Sequence, residues 1–216
     1  MTILALEFSS PQRSAAVVQA GRLLGEVIET GPTRAFGMIE AVLREAKLER
    51  ERIESVAVGL GPGSYTGIRV ALALAQGWQL ARGSQLLGVS SVDCVAAQAQ
   101  AEGVSGRVNV LVDAQRNEFY LAAYAISADG WNVIEPLRIV TLPEIQSRVE
   151  ARETMMGPEV TRWFPGGRTI FPRAARLAQM AGRRQNFATG EKLEPIYLRE
   201  TNFAKAPLRK PGELQR

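Results

Sequence analysis

A strand, a glycine-dense loop and a helix apolar on nearly every side, read in succession over residues 53–82, constrain this chain more than any other feature. Val56, Val58 and Leu60 mark residues 53–60 as a buried strand. The spacing then predicts a helix over 66–82, in which Ala71, Ala73, Ala75 and Gly77 alternate with Leu72, Leu74, Trp78 and Leu80. Such a helix must be covered on all its sides. A sheet can take one face; the other needs a second helix or a second chain. Residues 34–47 offer one partner: Phe36, Ile39, Leu43 and Ala46 share a stripe, with Met38 and Val42 beside it. Small residues let helices approach closely, and an open apolar face of this size is sticky. The expectation is a subunit interface built from Phe36, Ile39, Val42, Leu43, Ala71, Ala75 and Trp78. On that reading, a charge at Val42 or Ala75 abolishes association and leaves a folded monomer.

The loop itself, residues 59–69, carries glycines at 59, 61, 63 and 67 with Pro62 stiffening the turn. Ser64 or Thr66 can cap the following helix, and exposed N–H groups there attract anions. Ser9, Gly61, Gly63, Ser64, Thr66, Gly67 and Asp113 form the candidate anion or nucleotide loop. The pattern matches neither the G-x-x-x-x-G-K-[ST] loop nor a complete G-x-G-x-x-G fingerprint, and it lacks lysine. A tight turn that lets the helix pack closely fits the same residues.

Around this centre the chain reads as three strands, a helix, a strand, a helix, a strand and a helix over residues 3–101. Strands at 108–112 and 119–126 follow. The order is α/β with a mixed sheet. Beyond about residue 115 the pattern loosens into a strand near 131–140, a helix over 143–151, a strand at 154–156, a helical turn at 159–164 and a helix over 174–184. The expected organisation is a first lobe, 1–105, carrying the glycine loop and interface helices, and a smaller, less regular lobe, 106–216. The last stretch, 194–210, reads as an extended arm held by Ile196, Tyr197 and Leu198.

Composition narrows the chemistry. A chain of 216 residues with no histidine has no Ser-His-Asp or Cys-His relay and no imidazole metal site. The single cysteine, Cys94, fits a reducing cytoplasm and reads as a small core residue. No apolar run approaches the ~18 residues of a membrane span, and Glu7 interrupts the first apolar stretch, so neither a span nor a secretory signal is expected. Charge is uneven: residues 1–147 hold 12 Lys/Arg against 15 Asp/Glu (−3), and residues 148–216 hold 14 against 7 (+7). A basic last third suits contact with a polyanion, though charge alone favours a solvated basic face and a ragged tail. Phe171, Phe187, Tyr197 and Phe203 are too scattered to predict a stacking platform for RNA.

The run G-P-G-S-Y-T-G-I-R at 61–69, after Val56-Ala57-Val58-Gly59, closely resembles the TsaB (YeaZ) family of tRNA threonylcarbamoyladenosine biosynthesis subunits. Gly88-Val89-Ser90-Ser91, Val112-Asp113-Ala114-Gln115-Arg116 with Glu118 and Tyr120, and Pro195-Ile196-Tyr197-Leu198-Arg199 carry the same resemblance. It implies an α/β, actin-like ATPase (ASKHA, ribonuclease H-like) fold with two lobes, mixed β-sheets flanked by helices. It implies a cytoplasmic, non-catalytic scaffold that binds and activates a TsaD-type threonylcarbamoyltransferase, which modifies the adenosine next to the tRNA anticodon. A TsaE-type ATPase would join that pair, and tRNA would be met indirectly or through the basic C-terminal region. A lone chain would pair with a second copy through the same helices. No cofactor is implied beyond a weak nucleotide contact at the lobe or subunit interface. Where family members begin Asp-Thr-Ser, this chain has Glu7-Phe8-Ser9-Ser10, and Arg34-Ala35-Phe36 replaces a His-Ser stretch. Both departures weaken nucleotide hydrolysis.

The competing reading is an actin-like ATPase or phosphotransferase using Glu7 and Asp113 as a carboxylate pair with magnesium. Against it stands capping and loop hydrogen bonding for the same two residues. Arg69 is expected to form an ion pair with one of them or to bind an anion, Arg116 and Glu118 to join the lobes, and Trp78 to anchor the interface.

Overall fold

The computed structural model describes residues 1–31, 34–184 and 187–198. The first sheet contains β1 (Thr2–Glu7), β2 (Gln12–Gln19), β3 (Arg22–Thr30), β4 (Ser55–Gly59) and β5 (Gln85–Val89), in the order β3-β2-β1-β4-β5. β1 runs antiparallel to β2 and parallel to β4. Its alternation decides which face each residue serves. Leu4 and Leu6 enter the core under α1 (Ala35–Ala46) and α2 (Tyr65–Arg82), while Ile3 and Ala5 enter the core on the opposite face.

The second sheet contains β6 (Gly106–Asp113), β7 (Glu118–Ser127), β8 (Gly130–Thr141), β9 (Thr154–Gly157) and β10 (Arg168–Thr169), in the order β10-β9-β6-β7-β8. Counted from its own first strand, this is the order of the first sheet, with the same two antiparallel and two parallel pairings. The helices repeat as well. α1, α2 and α3 (Ser91–Ala101) have as counterparts α4 (Leu142–Glu150), α5 (Val160–Trp163) and α6 (Ala174–Ala181). The second lobe is therefore as regular as the first in topology, contrary to the looseness of its sequence. Its periodicity is faint because α5 has four residues and β10 two, too few to show a period.

The division at residue 105 separates the two sheets, but each third helix also reaches the other lobe. Val92, Val95, Ala96 and Ala99 of α3 pack against Val108, Val110 and Tyr124 of the second sheet. Leu177, Ala178 and Ala181 of α6 pack against Ile3, Ala16 and Ala57 of the first. Glu26 and Ser14 secure that return. Arg173 makes a two-pronged ion pair with Glu26 (2.6 and 3.1 Å), and the Ala174 N–H donates to the Ser14 hydroxyl at 2.8 Å. The charge-assisted Arg173–Glu26 pair and the Ala174–Ser14 bond tie the lobes together.

The last described segment runs back along the first lobe. Gly190 is clasped by Gln76 and Gln79 of α2, and the Ile196 N–H donates to the Leu60 carbonyl at 2.9 Å. Its apolar anchor is the buried Leu193. Ile196 is half-buried and Tyr197, though exposed, stacks on Tyr65 and accepts from Arg69, so these two hold the arm as expected, while Leu198 is exposed. The remainder of the expected arm, from residue 199, lies outside the described residues.

Candidate functional site

The glycine loop is close-packed. Gly63 and Gly67 lie so near the β1–β2 turn that a Cβ on either would stand 2.1 Å from the Ser9 carbonyl or 2.0 Å from the Phe8 carbonyl. Ser64, the N-cap of α2, accepts from the Gly67 N–H at 3.2 Å, and its own N–H donates to the Ser9 carbonyl at 2.7 Å. The Gly61 N–H donates to the Ser91 hydroxyl at 3.1 Å. The amides of Gly61, Ser64 and Gly67 are thus occupied by the chain itself, and close packing against the β1–β2 turn is the use the structure makes of Gly63 and Gly67. Thr66 is exposed.

Glu7 and Asp113 hold equivalent places, each ending the first strand of its lobe, and each accepts an N–H from two residues ahead. The Ser9 N–H reaches Glu7 at 2.8 Å and the Gln115 N–H reaches Asp113 at 2.7 Å. They do not share a cleft. Glu7 is fully buried, and its second oxygen accepts from Ser91 at 2.9 Å. Burial pushes its carboxyl above the usual range, opposed by the hydrogen bonds from Ser9 and Ser91. Asp113 lines the open cavity between the lobes. The carboxylate pair required for magnesium chemistry is therefore not assembled.

That cavity, about 1390 Å³, is walled by Ser9, Gly63, Ser64 and Tyr65 from the first lobe and by Asp113, Arg116 and Tyr120 from the second. Arg69 also lines it. Instead of pairing with a carboxylate, its guanidinium sits 4.3 Å from the Tyr65 ring centroid, and Nε donates to the Tyr197 hydroxyl at 3.4 Å.

The expected interface residues divide by burial. Ile39, Val42, Leu43, Ala71 and Ala75 all belong to the core between α1, α2 and the first sheet. Val42 and Ala75 have no exposure, so a charge at either attacks the fold instead of leaving a folded monomer. The stripe was read one face too far inward. Phe36, 72% exposed, is open to a partner. Trp78 is half-buried, with its indole N–H buried and without an acceptor among the described residues. Sequence reasoning missed Leu80 as an interface candidate; it is 88% exposed in the last turn of α2. Ala73 and Gly77 lie exposed on the same helix, with open space around Gly77.

A family model described as TsaD, tRNA N6-adenosine threonylcarbamoyltransferase, matches residues 33–162. The chain is 29% identical over 187 residues to the tRNA threonylcarbamoyladenosine biosynthesis protein TsaB of Escherichia coli, covering 77% of this chain and 79% of that protein. Its fold matches the solved YeaZ from Pseudomonas aeruginosa with a TM-score of 0.76 at 25% identity, covering 91% of this chain and 99% of that one. The chain belongs to this family, in its TsaB (YeaZ) group. The TsaB of Haemophilus influenzae, 25% identical over 231 residues, extends the match to 96% of this chain. Membership of the TsaB group accords with the two-lobed actin-like fold, whose duplicated sheet topology is described above. No helix among the described residues is long and apolar enough to cross a membrane.

Proposed function

We propose that this chain's part in tRNA threonylcarbamoyladenosine biosynthesis, which its family gives it, is that of a non-catalytic scaffold that binds and activates a TsaD-type transferase. The observation that carries the proposal is the pair of large apolar side chains left open on the helices over the first sheet, Phe36 on α1 and Leu80 on α2, the latter three residues beyond the bare surface at Gly77. A large apolar side chain next to a small residue on one helix face suits a close helix–helix contact. The buried Glu7, held by Ser9 and Ser91 away from the cleft that Asp113 lines, supports the non-catalytic part of the reading over an ATPase.

The same face pairs two copies of the chain when the transferase is absent, and a TsaE-type ATPase joins the heteromeric pair. The chain works in the cytoplasm and needs no resident cofactor; a nucleotide, where it binds, does so weakly at a lobe or subunit boundary. Mixing the chain with its TsaD-type partner and measuring the mass of the complex tests the proposal. A one-to-one complex that is lost in Leu80→Asp and Phe36→Asp is expected. Failure to associate, or unchanged threonylcarbamoyladenosine in bulk tRNA after deletion of the gene, overturns it.

A further inference from the structure

Two tyrosines far apart in sequence meet at the rim of the inter-lobe cleft. Tyr65 opens α2 and Tyr197 lies in the returning C-terminal segment, yet their rings stack with centroids 6.0 Å apart and planes 29° from parallel. Arg69 touches both, its guanidinium over the Tyr65 ring and its Nε donating to the Tyr197 hydroxyl. The result is a short ladder of two phenol rings braced by a guanidinium. Both rings remain open to solvent, Tyr65 57% and Tyr197 44% exposed. Exposed aromatic rings beside arginines are the surface on which unpaired nucleobases stack, and the gain tolerates any base because every base has a π-face.

The rest of the cleft fits a strand better than a free nucleotide. At about 1390 Å³ it exceeds the ~300–1,000 Å³ of small-molecule sites. Arg13 and Arg116 add two cationic groups to its walls, but Asp113, Glu118 and Glu159 balance them. A polyphosphate, with its charges concentrated at one end, meets carboxylates as well as guanidiniums there. An RNA segment spreads its charge as one phosphate per base and offers bases to the stacked rings at the rim. Arg116 is held at the cleft wall by three successive left-handed residues, Gln115, Arg116 and Asn117, with φ of 65°, 59° and 60°. Such strain collects at functional sites. Residues 199–216, which follow the ladder directly, carry five Lys/Arg against two Glu.

We infer that the Tyr65–Tyr197 ladder and the adjoining cleft bind an unpaired nucleotide of the substrate tRNA, so that this chain touches the RNA itself. The inference rests on tRNA being the substrate of the proposed assembly and not on where the transferase docks.

The test is an anisotropy titration of the full chain with an unmodified anticodon stem-loop labelled at its end, repeated with ATP as competitor. Replacing both tyrosines, Tyr65→Ala with Tyr197→Ala, is expected to weaken stem-loop binding about tenfold or more. Tyr65→Phe with Tyr197→Phe retains it, because the rings remain. Arg13→Gln and Arg116→Gln each flatten the salt dependence. The double-alanine chain still forms a complex of unchanged mass with the TsaD-type partner. Equal stem-loop affinity for the parent and the double-alanine chain overturns the inference. Displacement of the RNA by micromolar ATP also overturns it, assigning the cleft to a free nucleotide, and so does loss of the partner complex in the double-alanine chain, which assigns the tyrosines to docking. A parent chain that binds RNA but no transferase leaves the inference standing and removes only the scaffold.

Discussion

α2 and α3 are alike in sequence and opposite in use. Each follows a parallel strand of the first sheet, starts at a serine and is rich in alanine. Seven of eleven residues in α3 are buried, against five of eighteen in α2. α3 is enclosed because the second sheet lies against Val92, Val95 and Ala96 while Cys94 faces α6 and the first sheet. α2 has the first sheet beneath it and the turn at Gly190–Lys192 alongside, and its outer side stays open. An all-round apolar helix can be satisfied inside its own chain or left for another. This chain does one of each.

The comparison breaks most visibly where a charge replaces alanine. Ala96→Asp places an unpaired carboxylate between the lobes and should lower stability by about 3–5 kcal/mol in denaturant unfolding. Ala75→Asp should do the same, because it faces inward from the otherwise open helix. Ala73→Asp, exposed two residues away, should cost within about 0.5 kcal/mol. Comparable losses at Ala73 and Ala96 would abolish the distinction between the helices.

Backbone contact at the start of α2 sharpens it at a smaller scale. Gly67→Ala forces a Cβ onto the Phe8 carbonyl and should cost about 1–3 kcal/mol by the same measurement. An unaffected variant would show that the loop is loose enough to admit a ligand.

The start of α3 predicts a pH effect through Ser91 and Glu7. Glu7 titrates above the ordinary carboxylate range, so the folded chain holds its proton more tightly than the unfolded chain does. The stability this provides is full below the unfolded value and is lost as pH rises through the raised folded value. Glu7→Gln should remove that decline, seen as melting curves of variant and parent that diverge with rising pH. Parallel curves would place Glu7 in water.

The smallest effect is expected far from both helices, on the second lobe. Arg148 pairs with Glu135 at 2.9 Å within a network that includes Arg107, Arg138 and Glu144. The hydrogen bond from Arg148 is the chief cause holding the Glu135 carboxyl below its usual range; for Glu144 the chief cause is the bond from Arg138. Stability from these pairs is present above the unfolded carboxylate range and lost as pH falls through the lowered values. Arg148→Gln should cost about 1 kcal/mol near neutral pH and less in acid.

The elements of the first lobe were legible because each carries enough residues to show a period: β1, β4 and α2 lie within two residues of their sequence-based limits. Ser64 as the cap of α2 was one of two local candidates, settled by its bond to Gly67. The candidate interface was half legible. α1 and α2 do share one core over the first sheet, but hydrophobicity alone assigned the inward stripe to a partner, and exposed Leu80 looked like one more core leucine. The cleft was the least legible. Tyr197 seemed isolated because its neighbour in space is Tyr65, and Arg69 seemed destined for a carboxylate because no local pattern announces two tyrosines.

Residue order was enough to establish most of the succession of strands and helices, a glycine-rich strand-to-helix turn and the absence of imidazole chemistry, since these depend on neighbours within a few positions or on composition. The equivalence of the two sheets, the crossing of α3 and α6 between lobes, the burial of Glu7 and the meeting of Tyr65 with Tyr197 arose from packing. Contacts between distant segments depend on which apolar faces close over one another, and a one-dimensional pattern of hydrophobicity does not name the partner of a face.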